Sequence, residues 1–148
     1  MMKPPGHYRY LISNRFRKVT LSKDMETFLL ISLGAILGAN LRYWVGTWAA
    51  GRLGVSFPYG NLIINLTGSL ILGFFMTLAV DRLLLDPRWR IFFAVGFLGS
   101  YTTFSSYTFE SLSLIMDNQW LLGLFNLFGS AFLGGVAVFL GILLARAI

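Results

Sequence analysis

The sequence predicts an all-α integral membrane protein with four transmembrane helices and a broken third helix. Of its 148 residues, 56% are hydrophobic and only 12% are charged, and the mean hydropathy is +0.70. Soluble domains contain about 25% charged residues, whereas this chain has four apolar stretches of about the 20 residues that a span requires. Because the connections between them are short, residues 25–148 are predicted to form one membrane domain.

Residues 1–24 form a basic N-terminal tail with six of the twelve Lys and Arg residues. The apolar stretch that follows is too long for a secretory signal. We interpret the tail either as a disordered segment attracted to lipid headgroups or as sequence upstream of a true start at Met25. It does not interleave aromatic and basic residues on a folded platform, as proteins that bind single-stranded nucleic acid do, so no nucleic-acid partner is expected.

The distribution of positive charge predicts the orientation of the spans. With four spans, both termini and the middle connection share one side, which carries ten Lys and Arg residues against Arg52 alone on the other. The positive-inside rule then places both termini in the cytoplasm. A start at Met25 lowers the ratio to four against one.

The first span covers residues 27–50 and contains one charge. Gly34 and Gly38 lie four residues apart, a spacing that lets another helix approach closely. Arg42 either extends to the nearby interface or attracts anions in a wet vestibule. The residues alone leave both readings open.

The second span covers residues 61–80 and carries no charge. Pro58 and Gly60 favour a helix start just before it. Asn65 and Ser69 lie four apart and therefore share a face. The Asn65 amide is either an interhelical hydrogen-bonding group or a donor to an anion.

The third span, residues 91–116, is predicted to break. Five residues of this span have low helix propensity, and the hydroxyls among them compete for backbone hydrogen bonds. They are Gly96, Gly99, Ser100, Thr102 and Thr103. Carbonyls released by a break in the membrane can coordinate a cation.

Polar and aromatic residues follow the predicted break. Thr103, Ser106 and Glu110 share one helical stripe, and Phe104 and Tyr107 form a neighbouring aromatic pair. These rings either serve packing alone or line a pathway. An ionisable residue inside a span, such as Glu110, indicates a functional site.

The fourth span, residues 119–145, carries no charge and places small and polar residues on one face. That face is either a tight helix contact or one wall of a pore, and it contains Gly123, Asn126, Ser130 and Gly134.

The inventory of reactive side chains argues against an enzyme. The chain has no cysteine, and its one histidine, His7, lies in the tail. No carboxylate pair, metal-binding cluster or phosphate loop is recognisable. The polar groups of the spans are mostly neutral donors, which together with Arg42 and electropositive ring edges suit a small anion. A narrow path would exclude larger anions.

Three motifs in order resemble those of the bacterial fluoride channels, the CrcB or Fluc family. Residues 34–43 match the pattern Gly-x-x-x-Gly-Ala-x-x-Arg-Tyr, and residues 58–68 match Pro-x-Gly-x-Leu-x-x-Asn-x-x-Gly. Residues 96–110 largely keep the pattern Gly-Phe-x-Gly-Gly-x-Thr-Thr-Phe-Ser-Thr-Phe-x-x-Glu. The resemblance covers about residues 25–148.

The resemblance implies a passive, fluoride-selective channel in the bacterial inner membrane that exports fluoride and lowers its toxicity in the cytoplasm. It implies an antiparallel, dual-topology homodimer with two narrow fluoride pathways. A structural sodium ion would be held at the dimer centre by the backbone carbonyls of Gly99 and Thr102. The pathway residues implied by the motifs are Asn65, Phe104, Ser106, Tyr107, Asn126 and Ser130, and Arg42 and Glu110 match vestibule or structural positions.

The chain departs from the family pattern in three ways. Tyr107 replaces a phenylalanine, and its hydroxyl is expected to add polarity that slows conduction or relaxes selectivity. Ser100 replaces a glycine, which would strain a position that needs positive φ. The strong charge bias disfavours insertion in both orientations. Either Met25 is the true start, or the subunit forms a heterodimer with an oppositely oriented sister subunit.

Two other functions compete with the channel. A small multidrug-type cation exporter also has four short spans, but it depends on a buried carboxylate in the first span. Here Glu26 lies at the edge of that span and Glu110 lies in the third. A non-transporting membrane scaffold would use the polar stripes for helix packing only.

Overall fold

The computed structural model describes the backbone of residues 7–79 and 85–148 and the side chains of residues 22–79 and 85–148. Within these ranges the fold is built from helices, and no described residue lies in a β-strand. Five helices, α1 to α5, are separated by short connections.

Helix α1 spans His7–Leu53 and is 47 residues long. It includes residues 7–24 of the basic tail. One interpretation of the tail was a disordered segment, whereas its backbone is helical from His7 onward. Neither glycine nor proline, the residues that most strongly disfavour a helix interior, occurs between Gly6 and Gly34. The helix ends where Gly54 adopts a positive φ of 83°.

Helix α2 spans Tyr59–Thr77 and begins directly after Pro58. Proline fixes its own φ and cannot donate a hydrogen bond, which suits a helix start. The predicted start at Pro58 and Gly60 therefore agrees with the structure.

Helix α3 consists of three consecutive pieces, Pro87–Trp89, the π-helical Arg90–Leu98 and Gly99–Tyr101. The Asp86 side chain caps its start by accepting a hydrogen bond from the Arg88 N–H at 2.9 Å. At its other end Thr102 and Thr103 are extended, with ψ values of 158° and 124°. The chain is thus non-helical for two residues where the sequence predicted low helix propensity.

Helix α4 spans Phe104–Met116. It ends in a Schellman motif, in which Asn118 has a φ of 61° and Gln119 N–H donates to the Leu114 carbonyl at 2.8 Å. Helix α5 follows at once and comprises Trp120–Leu124, the π-helical Phe125–Gly129 and Ser130–Ala147.

Within the part of the chain that the structure describes, three helical segments are long and apolar enough to cross a membrane: Ser22–Leu53, Tyr59–Thr77 and Trp120–Ala147. The chain is therefore a multi-pass helical membrane protein. In the stretch where the third span was predicted, α3 and α4 are separate helices, and α4 has only 13 residues.

Glycines allow the helices to approach closely, as predicted for the first span. A Cβ atom on Gly34 would lie 2.8 Å from the Phe97 nitrogen, and one on Gly38 would lie 3.0 Å from the Tyr101 nitrogen. Both distances are too short for a side chain, so these glycines let α1 and α3 cross closely. Between α2 and α5, Gly141 packs in the same way, with a Cβ position 2.8 Å from the Phe74 nitrogen.

Candidate functional site

The extended residues between α3 and α4 are held by one side chain of α2. Asn65 Nδ2 donates a hydrogen bond to the Thr103 carbonyl at 3.0 Å, and the Thr103 N–H donates to Asn65 Oδ1 at 2.9 Å. The amide thus replaces the partners that the Thr103 backbone would have in a continuous helix. Unpaired backbone groups are costly in lipid, so Asn65 stabilises the interruption.

This pairing also releases a carbonyl at the end of α3. Thr102 N–H still donates to the Leu98 carbonyl at 3.0 Å. The next N–H, that of Thr103, would continue the helix by donating to Gly99, but it donates to Asn65 instead. The Gly99 carbonyl is therefore left without its helical donor.

Ser100 has no backbone strain at this position. The only non-glycine residue with positive φ among those the structure describes is Asn118. Ser100 is part of the Gly99–Tyr101 helical turn, so the strain expected if this position required positive φ does not arise.

Thr103 and Ser106 together begin helix α4. Thr103 Oγ1 accepts a hydrogen bond from the Ser106 N–H at 3.3 Å, and its hydroxyl donates to Ser106 Oγ at 3.1 Å. This is the N-cap arrangement expected of a threonine. Ser106, predicted as a pathway residue, is placed here as a partner of the cap.

A cavity of about 310 Å³ lies beside the interruption, between α2, α4 and α5. Four of the predicted pathway residues, Asn65, Phe104, Tyr107 and Ser130, line it together. No charged side chain belongs to the lining among the residues that the structure describes. The remaining lining residues are Ser69, Thr103, Ala131, Gly134, Gly135 and Val138.

The two aromatic rings of the cavity differ in exposure. Phe104 is 77% exposed, whereas Tyr107 is 8% exposed. Their ring centroids are 5.7 Å apart with an interplanar angle of 49°. Tyr107 is thus part of the packed interior, and Phe104 extends away from its own chain.

The Tyr107 hydroxyl is bound to a residue outside the cavity lining. It donates a hydrogen bond to the Leu127 carbonyl, which lies in the π-helical stretch of α5. Hydrogen bonding in such a stretch differs from that of an α-helix. The bond connects α4 to α5.

Asn126 belongs to a buried hydrogen-bonded cluster and is not among the residues that line the cavity. Its side chain is 1% exposed. Asn126 Nδ2 donates to Ser111 Oγ at 2.8 Å, and the Ser130 hydroxyl donates to Asn126 Oδ1 at 3.1 Å. Ser111 in turn donates to the Tyr107 carbonyl at 2.7 Å. Asn126 therefore supports Ser130 and Tyr107 from behind the cavity wall.

The small and polar face of the fourth span contacts another helix at one end and lines the cavity further along. Near its start, Gly123 packs on α4, because a Cβ atom there would lie 2.8 Å from the Ser111 carbonyl oxygen. Further along, Ser130 and Gly134 line the cavity. The face is a tight contact at one end and a cavity wall at the other.

Arg42 and Glu110 are separate from this cavity. Within the described ranges, Arg42 is half-buried and takes part in no ion pair or side-chain hydrogen bond. Glu110 accepts a hydrogen bond from Asn61 Nδ2 at 2.5 Å and lines a second, larger cavity of about 540 Å³. Asn61 was not singled out from the sequence, although it lies one helical turn before Asn65 on the same face.

The chain is similar to a known family over most of its length. Residues 29–142 match the family model described as CrcB-like protein, Camphor Resistance (CrcB). A protein of Sulfurihydrogenibium sp. named "Fluoride-specific ion channel FluC" is 50% identical over 125 residues, which cover 82% of this chain and 98% of the relative. A protein of Synechococcus sp. with the same name is 47% identical over 126 residues, covering 85% and 97% of the two chains.

A third relative, from Chloroflexus aurantiacus, also carries that name. It is 45% identical over 122 residues, which cover 82% of this chain and 97% of the relative. Residues 29–142, which match the family model, contain Thr102 and Thr103, Asn65 and the residues that line the cavity. The chain belongs to the CrcB-like family.

Proposed function

We propose that the chain is a fluoride-selective channel that lets fluoride leave the bacterial cytoplasm across the inner membrane by passive diffusion. The observation that carries this proposal is the uncharged cavity beside the helix interruption, where Asn65, Phe104, Tyr107 and Ser130 meet. The relatives named as fluoride-specific ion channels align with more than four fifths of the chain, which supports the same function here.

The cavity suits a small anion because its polar groups are neutral. The Asn65 amide has two N–H groups, and only one of them donates to Thr103. The other N–H is available to an anion that has lost part of its hydration shell. The edges of aromatic rings are electropositive, so the Phe104 ring supplies a second, weaker interaction. Neutral donors bind an anion less tightly than a cationic side chain would. Conduction requires such weaker binding, because the ion must also leave the site.

In this proposal α3 and α4 together form the third of four spans, interrupted at Thr102 and Thr103. Non-helical backbone is tolerated within a membrane where protein partners satisfy it. The two hydrogen bonds from Asn65 provide such partners. Both termini then lie on the cytoplasmic side.

The functional unit is an antiparallel dimer. Phe104 lines the cavity yet is 77% exposed in the single chain, so a second chain is needed to close the path around this ring. The partner is either an identical chain in the opposite orientation or a sister subunit. The charge bias of the tail favours the sister subunit when the tail is present.

A structural sodium ion fits the carbonyl set at the interruption. Hard cations prefer oxygen ligands, and the Gly99 carbonyl lacks its helical donor because Thr103 N–H is bound to Asn65. The Gly99 and Thr102 carbonyls would hold the ion. When bound, the ion would neutralise carbonyl dipoles at the dimer centre.

Arg42 and Glu110 have different parts in this proposal. Arg42 is without a counter-ion among the described side chains, and in a wet vestibule it would raise the local concentration of anions. Glu110 is bound to Asn61 at 2.5 Å and supports the contact of α2 with α4.

The cation exporter is disfavoured by the position of the first-span acid. Glu26 forms an ion pair with Arg88, with 2.6 Å between Glu26 Oε1 and Arg88 Nε. This pair is exposed and connects α1 to the start of α3. A carboxylate paired in this way does not offer the buried acidic site that a cation exporter requires.

Fluoride tolerance in cells tests the function. In a bacterial strain without a fluoride exporter of its own, expression of the chain is expected to restore growth on fluoride and lower cytoplasmic fluoride. Phe104→Ile should abolish the effect at equal expression. Full tolerance with Phe104→Ile would favour the scaffold reading of the cavity residues.

A further inference from the structure

The cavity contains a hydroxyl group that the motif comparison did not assign. We propose that the Ser69 hydroxyl is a second anion donor in the path, one helical turn after Asn65; this inference rests on the proposed function. Ser69 lines the same cavity as Asn65. Residues four apart on a helix lie on one face, about 6 Å from each other along the axis, so an ion can pass from one donor to the next.

The Ser69 hydroxyl differs in its hydrogen bonding from several other hydroxyls on these helices. Helical serines and threonines commonly donate to the carbonyl four residues earlier. Thr67, Thr77 and Ser111 do so, at 2.7, 2.9 and 2.7 Å. In the part of the chain that the structure describes, Ser69 makes no side-chain hydrogen bond.

The other hydroxyl protons of the cavity are already committed. The Tyr107 hydroxyl donates to the Leu127 carbonyl, and the Ser130 hydroxyl donates to Asn126 Oδ1 at 3.1 Å. The Thr103 hydroxyl donates to Ser106 Oγ at 3.1 Å. Ser69 is therefore the hydroxyl of this lining whose proton can be donated to an ion without breaking a bond within the protein.

The Ser69 oxygen is also reachable. Every buried side-chain nitrogen or oxygen in the described ranges has a hydrogen-bond partner. The Ser69 oxygen has no such partner, so it is not fully buried, and Ser69 is one of the residues that line the cavity. Across from it lies Gly134, where an added Cβ would still be 3.7 Å from Ser69 Oγ. The glycine leaves space next to the hydroxyl for an ion.

Fluoride efflux from liposomes with purified Ser69 variants tests this assignment. Ser69→Ala removes the donor and is expected to slow efflux at least tenfold. Ser69→Cys keeps nearly the same shape but has only a weak donor. Its efflux rate should lie between those of the wild type and Ser69→Ala. If efflux rates fall in the order Ser, Cys, Ala while the gel-filtration profiles stay unchanged, the effect follows the strength of the hydrogen-bond donor and not packing.

A matched serine provides the control. Ser32 is also half-buried on a helix, but it does not line the cavity, and Ser32→Ala should conduct like the wild type. Wild-type efflux from Ser69→Ala, together with loss of efflux from Asn65→Leu, would overturn the role of Ser69 and leave the channel function intact. Absence of fluoride-selective efflux from the wild type, both alone and when co-purified with an oppositely oriented sister subunit, would instead overturn the function on which the inference rests.

Discussion

Asn65 and Thr103 form two reciprocal hydrogen bonds, of 3.0 and 2.9 Å, that join the middle of α2 to the interruption between α3 and α4. One amide group satisfies both the N–H and the carbonyl of the same extended residue. The bonds leave one Asn65 N–H for the cavity and deprive the Gly99 carbonyl of its helical donor. The geometry of the site therefore depends on this one side chain.

Replacement of Asn65 by leucine should affect both stability and transport. Asn65→Leu leaves the Thr103 N–H and carbonyl without partners, at a cost of about 1–3 kcal/mol. We expect a lower midpoint of thermal unfolding in detergent and loss of fluoride efflux. Asn40→Leu is the control, because Asn40 is exposed and donates only to the Ile36 carbonyl of its own helix. Equal unfolding midpoints for Asn65→Leu and the wild type would contradict the stabilising role.

Replacement of Tyr107 by phenylalanine separates two expectations for its hydroxyl. The sequence led us to expect added polarity beside the path, but the hydroxyl donates to the Leu127 carbonyl. Tyr107→Phe should therefore lower stability by about 1 kcal/mol and leave the preference for fluoride over chloride unchanged. Thermal unfolding and paired efflux assays measure the two effects. A large change in selectivity at unchanged stability would show that the hydroxyl faces the ion.

An alanine at Gly38 should disturb the crossing of α1 with α3. Its Cβ would lie 3.0 Å from both the Phe97 carbonyl carbon and the Tyr101 nitrogen. Such overpacking costs about 1–3 kcal/mol, and the unfolding midpoint of Gly38→Ala should fall accordingly. Gly51→Ala is the matched control on the same helix, since nothing lies within 4 Å of its Cβ position. A Gly38→Ala protein as stable as Gly51→Ala would mean that the helices are further apart.

The basic tail should determine the orientation of the chain. Because the chain contains no cysteine, a single Ile148→Cys substitution reports the side on which the C-terminus lies. In cells expressing the full-length chain alone, a membrane-impermeant thiol reagent should leave this cysteine unlabelled. A chain that begins at Met25 should be labelled in part. Labelling of the full-length chain to the same extent would contradict a fixed orientation and would remove the need for a sister subunit.

Local sequence features predicted much of the fold. The glycine pair on α1 lies at a close helix crossing, as predicted. Thr102 and Thr103, where low helix propensity was predicted, are non-helical, whereas the joining of α3 and α4 into one broken span stays a prediction. The π-helical stretches Arg90–Leu98 and Phe125–Gly129 were not predicted. They have no clear sequence signal, because they depend on how neighbouring helices satisfy the altered hydrogen bonds.

The candidate site was predictable as a set of residues, but its hydrogen bonds were not. Asn65, Phe104, Tyr107 and Ser130 line one cavity, whereas Asn126 is not part of its lining and Ser106 is a partner of the α4 cap. Their role in a fluoride pathway stays a prediction. Which proton goes to which acceptor depends on the relative rotation of α2, α4 and α5. A helical periodicity shows which face a residue shares, and it does not show what the opposite helix presents.

The most direct test of the channel is fluoride efflux from liposomes that contain the purified protein, measured with a fluoride electrode and with chloride as the control ion. We expect rapid efflux of fluoride without efflux of chloride, and its loss in Asn65→Leu and Phe104→Ile. Should the folded protein release neither ion, either alone or when co-purified with an oppositely oriented sister subunit, the channel function would be contradicted.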